Sequence, residues 1–238
     1  MEKGVDFLDL SCRRWVFLWD EIQEKVLSTG QEALDSWQWY SQESKANHWR
    51  LVFPFRAGIL QSTWAFTQAL KFFFKEQAQM VKTVKRFQLL VVSANTGSEK
   101  QKLQQLVAQT SLRAVTVVER ADFFNAYLQN KKNFSPLKLI IDLNDDFVEL
   151  SLFLAENRLK TQHLPLADYL TDKQLVQHLK LVLDSFLLNL PRDLFKKQWQ
   201  YFYIFMKPEV KKTSLIDDLN QHLKMEGILN QEILSNYV

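Results

Sequence analysis

Four short stretches of this chain are apolar almost without interruption: FQLLVVSA (87–94), AVTVVE (114–119), LIIDL (139–143) and YFYIFM (201–206). A strand with water on one face alternates polar and apolar residues. Continuous runs of this length belong to strands covered on both faces. The segments between them carry the covering helices. EKQKLQQLVAQT follows the first run, residues 121–130 follow the second, and the helix after 171 repeats Leu175, Leu179, Val182 and Phe186 on one stripe. Ser98 with Gln101, and Thr171 with Gln174, have capping-box spacing, and Ser214 is placed to cap a last helix bearing Leu215, Leu219 and Leu223. Upstream, residues 5–19 read as strand, turn and strand. A short helix is expected at 31–40, an extended segment broken by Pro54 and Gly58 at 50–60, and a long helix from Ser62 to about Val84. The order is that of an α/β chain with mixed sheets. The charged stretch MVKTVKR (80–86) separates two apolar blocks and sets an expected boundary, with a first core at 1–84 and a second at 85–238.

Composition narrows the function. Lys and Arg are scattered among acids and the net charge is +3, too weak to favour nucleic acid. The lone Cys12 excludes an internal disulfide framework and suits a reducing cytoplasm. Residues 1–20 carry acids throughout, so no signal peptide is expected, and no run reaches 18 apolar residues. Glycine is the outlier: the chain holds 5, where average usage gives about 16. Gly4, Gly30, Gly58, Gly97 and Gly227 are well separated, so no Gly-rich loop exists to bring backbone amides against a phosphate.

The segment LIIDLNDDFVELSL (139–152) concentrates the question of chemistry. It is a strand ending in Asp142, a polar tip, and a second strand. The spacing Asp142, Asn144, Asp146 opens like a calcium loop, but the positions that need Gly and Glu hold Phe147 and Phe153. His48, His163, His178 and His222 have no metal spacing, and no metal site is expected. Cys12 stands beside Arg13 and Arg14 without a His nearby, and reads as a structural thiol.

Taken in order, several stretches resemble a reduced bacterial actin of the MreB type, within the actin/Hsp70/sugar-kinase superfamily. DFLDLSCRRWVFL (6–18) stands where that family has its first phosphate hairpin. RLVFPFRAGILQSTWAFTQALKFF (50–73) and residues 89–128 are similar to its next segments. LIIDLNDDFVELSL resembles the second phosphate hairpin, and YFYIFMKPEVKKTSLIDDLNQHL (201–223) occupies the place of the adenosine turn. The resemblance implies two RNase H-like mixed-sheet cores. It also implies missing pieces: residues 190–200 run directly to the next strand where the family inserts a subdomain, and the first-half side subdomain shrinks to about 28–50.

The same resemblance locates vestigial nucleotide positions at Asp9, Ser11, Asp142, Asn144, Asp145, Asp146, Lys207 and Pro208. Asp9 and Asp142 match the family. Where it has glycines, this chain has Ser11-Cys12, Asn144-Asp145-Asp146-Phe147 and Met206-Lys207-Pro208-Glu209. A carboxylate in place of a glycine repels a phosphate by about 4 kcal/mol at ~4 Å and an effective dielectric of ~20, and Pro removes an amide donor. The family's water-activating Glu falls at Arg120, which cannot act as a general base. The expectation is a non-enzyme without cofactor: a nucleotide-free pseudo-actin serving as a cytoplasmic scaffold or adaptor. Its partner would be a protein such as a bacterial actin filament, a cell-wall or division component, or a secretion component. Self-association and peripheral contact with the inner face of the membrane are further expectations. Alternatives are an unconventional actin-like ATPase, kept open by Asp9 and Asp142, and a PilM/GspL-like scaffold of secretion or pilus assembly. Two segments offer contacts. Residues 64–86 combine Phe72, Phe73 and Phe74 with Lys and Arg, and read as a core helix or as a membrane-surface helix. Trp37, Trp39, Tyr40 and Trp49 stand among polar residues, as sheet-edge cover or as anchors for a partner or membrane.

Overall fold

The structure is a computed structural model that describes residues 5–10, 15–42, 48–130, 135–144, 146–166, 172–188, 190, 201–206, 213–223 and 226–230. The chain divides into two compact units, Met1–Glu119 and Arg120–Tyr237. The expected boundary after residue 84 is thereby corrected. Strands β7 (Arg86–Val91) and β8 (Ala114–Glu119) belong with β1 (Val5–Asp9) in one sheet of order β1-β7-β8. All three run parallel, with Leu8 opposite Leu89 and Leu89 opposite Val117. The charges at 82–86 mark a helix end and the start of a strand, not a linker.

In the first unit the expected hairpin of β1 with the next strand is not found among the described residues. Strand β2 (Phe17–Asp20) instead lies antiparallel between β3 (Lys25–Thr29) and β4 (Trp49–Val52). The mixed sheet expected of this core is thus divided between a parallel and an antiparallel sheet. Helix α1 (Gly30–Gln42) joins β3 to β4. A tight hairpin, β5 (Phe55–Arg56) and β6 (Ile59–Leu60), turns through Ala57 and Gly58, both at positive φ as a type I′ turn requires.

The expected long helix is two: α2 (Thr63–Glu76), capped by the Ser62 hydroxyl accepting from the Ala65 amide, and α3 (Ala78–Thr83). Helix α4 (Gly97–Ser111) starts at Gly97, so the capping box sits two residues before the expected one. The Thr96 hydroxyl accepts from the Glu99 amide, and the Glu99 carboxylate accepts from the Thr96 amide. These elements enclose a core that includes Leu8, Phe17, Phe66, Leu70, Phe87, Leu89, Leu103 and Val107. Each such Leu or Phe contributes about 1.5–3 kcal/mol through removal from water. Phe73 and Phe74 pack on the same core, Phe73 against Trp15 and Phe74 against Phe87. The core reading of residues 64–86 therefore holds over the membrane-surface reading for these rings.

The second unit is built on a mixed sheet of order β11-β10-β9-β12-β13. Its strands are β9 (Leu137–Leu143), β10 (Phe147–Leu154), β11 (Asn157–Pro165), β12 (Tyr201–Met206) and β13 (Glu226–Asn230). Strands β9, β10 and β11 form an antiparallel meander, and β12 and β13 add parallel to β9. Every described residue of β9 and nearly every one of β10 is buried, as the apolar runs require. One face carries Leu139, Ile141, Leu150, Phe202 and Ile204 against Leu179 and Phe186 of α6 (Asp172–Leu188) and Leu219 of α7 (Thr213–Leu223). The opposite face takes α5 (Arg120–Gln129), whose Phe124 stacks on Phe205 at 4.0 Å. Ser214 is the second residue of α7, not its cap, and Thr171 lies outside the described residues. Strands β11 and β13 were not expected. Both are sheet edges, with one neighbour each, and β13 contains Gly227.

Gly227 explains its own presence. It lies opposite Phe202, and an added Cβ would stand 2.7 Å from that ring and 2.8 Å from the Asn220 side-chain oxygen. That same oxygen accepts from the Gly227 amide at 2.8 Å. Gly227→Ala is expected to lower stability by about 1–3 kcal/mol, read as an earlier urea midpoint with an unchanged slope.

Candidate functional site

The tip of the second hairpin is where the sequence concentrates its chemistry. The Asn144 amide donates to the Phe147 carbonyl at 2.9 Å and closes the turn between β9 and β10. Register then places Glu149 directly opposite Asp142, and His163 of β11 opposite Glu149. Directly opposed residues share a face. Asp142 and Glu149 are each 1% exposed, so this row of ionisable groups is buried beneath α5.

Two buried carboxylates side by side need a counter-charge. Arg120, at the start of α5 and fully buried, supplies it. Its Nε donates to Asp142 Oδ2 at 2.6 Å and a terminal nitrogen donates to Oδ1 at 3.0 Å, a bidentate pair. The Asn144 side-chain amide donates to the same Oδ1 at 2.9 Å. The guanidinium also lies 5.3 Å from the Phe124 ring centroid, a cation–π contact. On the other side of the row, His163 Nδ1 is 3.6 Å from Glu149 Oε2, and its ring packs 5.1 Å from Phe147. Both oxygens of Asp142 therefore accept from the Arg120 guanidinium, and Oδ1 also from Asn144. In the sequence Asp142 matches the resemblance and Arg120 departs from it; the structure joins the two across 22 residues.

Asp9 ends β1, is 3% exposed, and accepts from the Trp15 indole through its backbone carbonyl at 2.9 Å. Asp146 is half-buried, with its carbonyl accepting from the Leu166 amide. Ser11, Asp145, Lys207 and Pro208 lie outside the described residues, as do Cys12 and residues 191–200. Among the described residues no cluster of His, Cys, Asp and Glu is arranged to hold a metal ion.

The four candidate contact aromatics separate. The Trp49 indole donates to Asp20 Oδ2 at 3.1 Å, so Trp49 is half-buried and tied to β2. Trp37 is half-buried on α1, whereas Trp39 is 55% exposed there. Tyr40 belongs to α1, but its side chain is outside the described set. Asp20 itself organises this region. Its Oδ1 accepts from the Ile22 and Gln23 amides, both at 2.9 Å, and His48 lies 3.9 Å from Oδ2. The Gln23 amide foremost, then the Trp49 indole and the Ile22 amide, hold this carboxyl below the usual carboxylate range against the opposing effect of burial. No described helix is long and apolar enough to cross a membrane.

No family model matches the chain, and no curated protein matches it. Solved structures do. MreB5 of Spiroplasma citri bound to ADP superposes with a TM-score of 0.52 at 17% identity, over 71% of this chain and 48% of that one. The same protein bound to AMPPNP gives 0.53 at 16% identity, over 71% and 49%. The ethanolamine utilization protein EutJ from Carboxydothermus hydrogenoformans gives 0.52 at 6% identity, over 76% and 74%. At such identities the likeness shows the fold: this is an α/β chain of actin-like fold. It spans about half the length of the MreB5 structures, and its reduced size fits missing subdomains.

Removing Arg120 strands Asp142 in a buried site. Arg120→Met is expected to cost about 3–5 kcal/mol, while Arg120→Met with Asp142→Leu recovers most of that loss; urea unfolding of both single variants and the double checks the coupling. Asp20 gives a pH signature. Its folded value lies below its unfolded value of about 3.9, so its stabilisation is full above that value and is lost as pH falls through the folded one. Asp20→Asn should lower Tm at pH 7, and the gap to the wild type should narrow as pH falls below the unfolded value in a series of melts.

Proposed function

We propose that this chain is a nucleotide-free pseudo-actin that works as a protein-binding scaffold or adaptor and not as an ATPase. The observation that carries this reading is the bidentate Arg120–Asp142 pair with Asn144 on the same carboxylate. By the resemblance to MreB-type actins, Asp142 matches the aspartate of the second phosphate hairpin and Arg120 stands in the place of the water-activating Glu. A carboxylate with both oxygens held by a buried guanidinium is not available to order a metal-bound water or a phosphate. Releasing it means leaving charges unpaired in a low-dielectric site. Lost glycines at the hairpin tip act in the same direction, because phosphate binding there depends on approach to bare backbone.

The two MreB5 structures, bound to ADP and to AMPPNP, set the contrast. An actin-like body without nucleotide retains surfaces for assembly. The partner proposed is a protein: a bacterial actin filament, or a component of cell-wall synthesis, division or secretion, reached at the inner face of the membrane. Trp39, more than half exposed on α1, is the aromatic anchor with the most surface to offer. The second reading, an unconventional actin-like ATPase, rests on the retained and buried Asp9 and Asp142.

Thermal melts separate the two. With Mg-ATP at ~100 times a binding constant, a nucleotide-binding protein gains about 2.7 kcal/mol, a visible rise in Tm. The expectation here is coincident melts with and without Mg-ATP.

A further inference from the structure

Beside the turn from β2 to β3, the first unit has a cleft of about 440 Å³ lined by Trp19, Glu21, Glu24, Trp64 and Gln68. That volume lies within the range of small-ligand pockets, roughly 300–1,000 Å³. Two indoles form part of its wall, with centroids 5.1 Å apart and planes at 81°. They are anchored: the fully buried Phe17 lies 6.3 Å from Trp19 and 6.4 Å from Trp64. Yet Trp64 remains 49% exposed, although it begins a helix whose Phe66 and Leu70 are wholly buried. Gln68 stands one turn after Trp64 on the same face of α2 and adds an amide.

The acids are placed by backbone geometry. Asp20 accepts from the Ile22 and Gln23 amides and so fixes the turn that carries Glu21 and Glu24. Glu24 sits at φ 48, a left-handed conformation that a glutamate does not favour by itself. Glu21 is paired with Arg50, whereas Glu24 forms no ion pair among the described residues. The ring face of an indole is its negative surface. Aromatic walls and a carboxylate therefore select the same ligand charge. An anion would meet the Glu24 carboxylate, and a purely apolar group would leave its charge unanswered, since Arg50 answers only Glu21.

We propose that this cleft binds an organic cation, a guanidinium or alkylammonium head on an apolar stem. Trp19 and Trp64 receive the cation by cation–π contact, Glu24 balances its charge, and Gln68 offers a hydrogen bond. The cation arrives either as a free small molecule or as an arginine or lysine side chain of a protein. The site is independent of whether the Asp142 hairpin takes nucleotide.

The test follows the indole N–H signals of the ¹⁵N-labelled full chain by NMR. The probes are arginine amide, the uncharged isostere citrulline amide, and a short glycine-rich peptide holding one arginine. Arginine amide should shift the Trp19 and Trp64 signals saturably, and citrulline amide should not. Trp64→Ala should weaken binding about tenfold and Glu24→Gln several-fold, while Leu181→Ala, at an exposed position of α6, leaves it unchanged. Tighter binding of the peptide than of the amide identifies a protein side chain as the ligand; equal binding identifies a free cation. The proposal is overturned if citrulline amide binds as well as arginine amide, if a folded Trp64→Ala keeps the wild-type affinity, or if no saturable shift occurs.

Discussion

The second unit of this protein is organised around one buried ion pair. A strand covered on both faces leaves no water for a carboxylate, yet β9 places Asp142 there and β10 sets Glu149 opposite it. The cost of burying such a charge is several kcal/mol unless a partner and hydrogen bonds answer it. Arg120 answers from the first residue of α5, and Asn144 answers from the turn. Much else follows from that arrangement. Helix α5 begins directly after β8, its Phe124 stacks on Phe205, and its Arg120 reaches the strand end. Asn125 and Gln129 then tie its far end to the Ala155 carbonyl in the next turn of the meander.

A functional consequence comes from the same pair. By the resemblance to MreB-type actins, the Asp142 hairpin is where phosphate chemistry would fall. Here the guanidinium of Arg120 and the side-chain amide of Asn144 hold the Asp142 carboxylate, while the Asn144 side-chain oxygen is buried without a hydrogen bond among the described residues. Chemistry of the nucleotide-binding kind needs donors and carboxylates left open until a ligand arrives. A carboxylate held in this way is the basis on which a scaffold is proposed rather than an ATPase.

What the sequence made legible was whatever lies in the interior. FQLLVVSA, LIIDL and YFYIFM each became a largely buried strand, because burial on both faces forces an apolar composition, whereas AVTVVE became the edge strand β8, where Ala114 and Thr116 are exposed and only Val115 is buried. Polar edges escaped notice. Strand β11, with Asn157, Arg158, Lys160 and Gln162, pairs only with β10 and turns toward solvent, so it needs no apolar run. Strand β13 was hidden by Gly227, which reads as a breaker until the Phe202 ring beside it is seen. The partner of β1 was also illegible. Apolar residues at 5–19 fit a local hairpin as well as a parallel pairing with β7, and only packing of Leu8 beside Leu89 decides. At the site, the lone Asp in LIIDL was the available signal, since an acid in a doubly covered strand demands a cation. The cation's identity was not available, because 22 residues and a whole helix intervene.

The central proposal is that Asp142, held by Arg120 of α5 and by Asn144, does not serve a nucleotide, and that the chain binds none. Isothermal titration of the full chain with Mg-ATP tests it most directly. The account predicts no saturable heat up to millimolar nucleotide, for ATP and ADP alike. A one-to-one isotherm with a micromolar Kd, weakened by Asp142→Asn in a variant that remains folded, would contradict it.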